Sequence, residues 1–157
     1  MRLLGTLQNV IVVTGIGMQA KVGVPTTFPA KLAGSGQVQN LVVVHGVDSD
    51  GRAFGDVTDL PVKVYGLASS ILVPFIEPEP SNEPREDGYQ LVGGTSFAVA
   101  SVTGILATHW SANPSWGAKE IIEKLHADAY PRTKDGVPVA WTGVRRGPPR
   151  KGWGGGR

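Results

Sequence analysis

Two kinds of apolar run alternate along this chain. Val10–Val13 and Leu41–Val44 are short, unbroken and rich in β-branched residues, which predicts strands buried on both faces of a parallel sheet. Pro61–Gly66 and Ser69–Val73 read as two more short strands joined by a turn. From Thr95 to Ser111 the run lengthens and turns apolar nearly all round, with Phe97, Ala98, Val99, Val102, Ile105, Leu106 and Ala107. That pattern predicts a helix buried in the centre of a domain. Asn113-Pro114 stops it. Ser115–Leu125 then repeats apolar positions at helical spacing, predicting a second, amphipathic helix with Ser115 as its cap. Together these elements predict an α/β fold.

The polar stretches punctuate that order. Arg2–Leu7 reads as the last turn of a helix, with Asn9 closing it. Residues 1–20 also bear a faint likeness to a signal peptide, but Gln8 and Asn9 interrupt the apolar run, so no compartment follows. Asp48-Ser49-Asp50-Gly51 is a turn; no glutamate follows at the spacing of a calcium loop. Pro74–Gln90, with three prolines after Pro74 and five acids, predicts a solvated loop. The pattern weakens after Ala129. Residues 143–157 form a basic Gly/Arg-rich tail with no acid, expected to be disordered and set apart from a domain over 1–142.

Composition narrows the function classes. The 157 residues, 41% of them hydrophobic, suffice for one ordinary core. Net charge is +2, so nucleic acid is not an expected partner, the tail aside. No stretch is long enough for a membrane span, and without cysteine there are no disulfides. No cofactor or metal is expected.

The chemistry concentrates in one stretch. Gly93-Gly94 delivers Thr95-Ser96 to the start of the long helix, where small residues (Ala98, Ala100, Gly104) permit close packing. Gly94 would keep a Cβ out of the way of the backbone at Ser96. Free N–H groups and the positive end of the helix dipole would favour an oxyanion formed when Ser96 attacks a carbonyl. The plain alternative is a serine or threonine cap on a buried helix.

Gly94-Thr95-Ser96-Phe97-Ala98 followed by Val102-Thr103-Gly104 resembles the catalytic-serine motif of the subtilisin-like serine proteases, the subtilases. Ala100 stands where that family has proline, and Thr103 where it has alanine. The resemblance extends over roughly residues 9–127: Phe28-Pro29-Ala30, the Leu41–Asp48 strand, and the Asn113-Pro114-Ser115-Trp116 turn have family counterparts. It implies a partial subtilisin-like three-layer fold, Ser96 as nucleophile, a polypeptide substrate and an extracellular location. It also implies an oxyanion donor after the first strand. In the best register Gly17 matches the family glycine and Met18 falls on its asparagine, while Gln19 carries an amide one position later. Methionine has no donor to give.

A serine protease of this type needs an imidazole and a carboxylate beside the serine. Residues 1–9, where the resemblance would seek them upstream, hold neither. His45 lies within a strand and reads as locally paired. His109 is thirteen positions after Ser96 on one helix, about 20 Å away at the helical rise, and His126 ends the next helix. The expectation is the C-terminal half of a subtilase catalytic domain, a truncated chain with little or no activity alone and an open sheet edge. Two other readings stand beside it. One is a non-catalytic binding module. The other is an α/β-hydrolase, with Ser96 on an elbow and Glu120 or Glu123 before His126.

Overall fold

The computed structural model describes residues 9–16, 28–35, 38–55, 62–75, 88–131 and 134–143. The parallel sheet is built from β1 (Val12–Gly15), β2 (Leu41–Val47) and β3 (Val64–Leu67), in the order β1-β2-β3. Val12 pairs with Leu41, and Val44 of β2 pairs onward with Val64. β2 is covered on both faces, as its unbroken run predicts. β1 begins two residues later than the apolar run, and its residues are only half-buried. It stands at the sheet's edge among the described residues, so its outer side lacks a neighbouring strand there.

Beyond β3 the ladder continues through an extended segment that the sequence pattern did not reveal. Tyr65 N–H donates to the Pro138 carbonyl at 2.8 Å, and Ala140 N–H donates to the Tyr65 carbonyl at 2.7 Å. Val137, Val139 and Ala140 bury their side chains wholly or in part. Val137 alone between Gly136 and Pro138, then the short run Val139–Trp141, gives too little length to establish a period.

Two helices pack on one face. α1 (Thr95–Ala112) and α2 (Ala118–Asp128) meet the sheet through Ala98, Val102, Leu106, Ile121 and Leu125, against Val42, Val44 and Val64. On the other face Val43 packs with Ile16 and with Ala30 of a 3-10 helix (Ala30–Ser35). The chain is thus an α/β fold with a parallel sheet between a helical layer and a thinner one. Among the described residues no helix is long and apolar enough to cross a membrane.

Three expectations need correction. Burial on α1 is one-sided: Ala98, Val102, Leu106 and His109 are buried, whereas Ala100, Thr103, Gly104, Ala107 and Thr108 face outward. Those outward residues have little apolar surface, and the Thr103 and Thr108 hydroxyls are satisfied by carbonyls one turn back, at 2.7 and 2.9 Å. The cap of α2 is Gly117 and not Ser115, and the Gly117 N–H is held by Glu120 Oε2 at 3.0 Å. The two short strands joined by a turn are both present, though they serve different sheets. β3 joins the parallel sheet, while β4 (Ile71–Phe75) pairs antiparallel with β5 (Gly88–Val92) in a separate hairpin. Both ends of the expected 74–90 loop are therefore strand; Tyr89 and Leu91 remain exposed, so they give no burial pattern to read. The expected Asp48 turn is present: its carboxylate accepts the Asp50 and Arg52 N–H groups at 2.9 and 2.8 Å.

Candidate functional site

Ser96 is the second residue of α1 and is exposed. Neither Thr95 nor Ser96 caps the helix. The cap is Gly94, which has no side chain to offer, and among the described residues no other side chain bonds to the helix N-terminus. Thr95 instead turns inward and is buried, its side chain 3.7 Å from where a Cβ on Gly15 would lie. The end of β1 thereby meets the start of α1, with Ser96 on the outward side. First-turn N–H groups that no side chain satisfies leave a site suited to an anionic oxygen.

Backbone sets this geometry. Gly94 adopts φ 147°, which L side chains rarely do. Its glycine is required by that torsion and not by crowding, since a Cβ there would meet only Phe97 Cδ2, at 4.0 Å. Gly94 N–H donates to the Ala68 carbonyl at 2.7 Å, and Ala68 N–H donates to the Val47 carbonyl at 2.8 Å. The bend before Ser96 is thus tied by main-chain bonds to the C-terminal ends of β2 and β3. Ala98 supplies the close packing its size suggested: a Cβ on Gly66 of β3 would fall 2.6 Å from the Ala98 carbonyl oxygen. A Cβ on Gly104 would meet nothing within 4 Å, so that glycine plays no such part. Gly17, Met18 and Gln19 lie outside the described residues, although Ile16, just before them, is buried against Val43 and Ala30.

The chain has three histidines, and none joins Ser96. His45 is 2% exposed on the sheet face opposite the helices, where its ring lies 5.9 Å from that of Tyr65. Its Nε2 is 2.6 Å from the Phe54 carbonyl oxygen, and burial holds its pKa below the usual histidine value. His109 is buried three turns along α1, with Nε2 3.9 Å from Asp128 Oδ2. His126 stands on α2, where burial first and the Lys63 charge second lower its pKa. It lines a cavity with Leu41 and Lys63, at the N-terminal ends of β2 and β3. α1 begins at the opposite, C-terminal end of the sheet. The order Glu120 or Glu123 then His126 therefore assembles nothing with Ser96. The strand before the serine, β5, belongs to the hairpin and not to the parallel sheet that a nucleophile elbow needs. Among the described residues no group of three or more potential metal-ligating side chains gathers.

A family model described as the subtilase family matches residues 8–141. The chain belongs to the subtilase family. Solved structures agree on the fold. It is similar to the MycP3 protease from the type VII (ESX-3) secretion system, with a TM-score of 0.58 and 17% identity over 84% of this chain and 42% of that one. It is similar to a cold adapted subtilisin-like serine proteinase, with a TM-score of 0.51 and 17% identity over 73% of this chain and 39% of that one. It also resembles the A-subunit of the AB5 toxin from E. coli, with a TM-score of 0.57 and 19% identity over 88% of this chain and 50% of that one. This subtilase chain thus spans no more than half the length of these three structures. No curated protein sequence matches it.

Proposed function

We propose that this subtilase domain carries the nucleophile of a serine-type endopeptidase, with Ser96 attacking the peptide carbonyl of a polypeptide substrate. The observation that carries the reading is the placement of Ser96: exposed, second in a helix with no side-chain cap, beside the end of β1. The serine is available as a nucleophile because it is not engaged as a cap. The Ser96 N–H would hold the oxyanion, with the positive end of α1 behind it.

On this reading these 157 residues have little or no activity by themselves. With no imidazole beside Ser96, its proton has no base to accept it. Turnover then requires an imidazole and a carboxylate from polypeptide outside these residues. That gap also favours a second reading, a subtilase-derived module that binds polypeptide without cutting it. Incubation with a fluorophosphonate, followed by peptide mass spectrometry, tests the proposal. Slow labelling at alkaline pH confined to Ser96, with no peptide hydrolysis above a Ser96→Ala control, is expected. Labelling spread over other serines would remove Ser96 as nucleophile. Hydrolysis that survives Ser96→Ala would do the same.

A further inference from the structure

The cavity that His126 lines is unrelated to the serine and has a chemistry of its own. About 460 Å³ in volume, it lies between the 3-10 helix, the N-terminal ends of β2 and β3, and one side of α2. Small-ligand sites are commonly about 300–1,000 Å³, apolar within and polar at a few points. Here the floor is Leu41, Val42 and Ile122. The rim carries Lys63, Lys119 and His126, with Gln39 as a neutral hydrogen-bonding group.

Charge on the rim is one-sided. Glu123 is the single carboxylate in the lining, 3.9 Å from Lys119 Nζ. Both side chains of that pair are more than 60% exposed, so water screens it heavily. Lys63 has no carboxylate partner among the described residues, and its charge is felt at His126. Lys63 and His126 thus line the same cavity over an apolar floor, where two lysines face one carboxylate.

We propose that this cavity binds an aliphatic carboxylate, its alkyl chain on Leu41, Val42 and Ile122 and its carboxylate between Lys63 and His126. Lys63 supplies a mobile point charge, and the His126 ring supplies an N–H donor. The alkyl chain distinguishes this ligand from a bare inorganic anion, which would leave the floor wet. The carboxylate distinguishes it from a neutral lipid, which would leave Lys63 unanswered. The site stands at the opposite end of the sheet from Ser96 and does not depend on the serine being catalytic.

Octanoate is the probe, and the three histidines make the readout internally controlled. In carbon-resolved NMR of the full chain, octanoate should shift the His126 ring saturably and leave His45 and His109 where they are. Lys63 is exposed, so Lys63→Glu should fold normally and weaken binding by about tenfold or more. Two ligands dissect the recognition: 1-octanol keeps the chain and acetate keeps the charge, and each should bind at least about tenfold more weakly than octanoate. The absence of a saturable His126 shift would overturn the proposal. So would equal affinity of octanoate for Lys63→Glu, or of octanol for the unaltered chain.

Discussion

The two ends of α1 are built to opposite rules. At its C-terminus the helix is capped by both backbone and side chain, although the buried His109 Nε2 and Asp128 Oδ2 make no hydrogen bond. Asn113 donates its backbone N–H to the His109 and Trp110 carbonyls at 3.1 Å, and its side-chain amide to the His109 carbonyl at 2.9 Å. His109 is buried there and faces Asp128, whose other oxygen accepts from Lys124 at 2.9 Å. At the N-terminus no side chain closes anything: a glycine caps the helix and a hydroxyl faces outward. Capping residues were at hand, since Thr95 and Ser96 stand within two positions of the cap, and neither is used. The contrast shows where stability is placed and where it is withheld, and the open end carries the serine.

The largest effect should come from breaking the packing that fixes the open end. Gly66→Val would set a Cβ 2.6 Å from a main-chain oxygen that cannot move without moving α1. A loss of about 3 kcal/mol, or failure to fold, is expected in denaturant unfolding. Next comes a substitution that sharpens the comparison. Serine is among the best capping residues, yet Gly94→Ser should destabilise by about 1–2 kcal/mol, because φ 147° strains any L side chain. A stabilised variant would show that the N-terminus is open by accident of sequence. The closed end comes after these, and the smallest effect falls on the serine itself. Asn113→Ala should cost about 1 kcal/mol by the same measurement, and Ser96→Ala should stay within about 0.5 kcal/mol.

The legible parts of this chain were those where one residue type repeats at one period. Leu41–Val44 announced a buried parallel strand, and Thr95–Ser111 announced its helix almost to the residue. The serine motif was legible because glycine, hydroxyl and small residues stand at fixed offsets. What escaped was set by partners far away in sequence. β5 is exposed, so alternation marks nothing along Tyr89–Leu91. The 137–140 segment gains its strand-like pairing only from Tyr65 and Tyr130. The Thr95–Ser111 run reads as apolar nearly all round because Phe97, Val99, Ile105 and Ala107 count as apolar wherever they fall on the helix, although the first three are only half-buried and Ala107 is exposed. The reason for Gly94 was likewise invisible, since a torsion and a steric need predict the same residue.

The bend ahead of Ser96 hangs on two bonds, from Gly94 to Ala68 and from Ala68 to Val47, that involve no side chain at all. Only proline at a donor position could delete either one. Where glycine is not required by torsion or packing, neighbouring side chains can therefore change without deleting either bond, and the hydroxyl keeps its address.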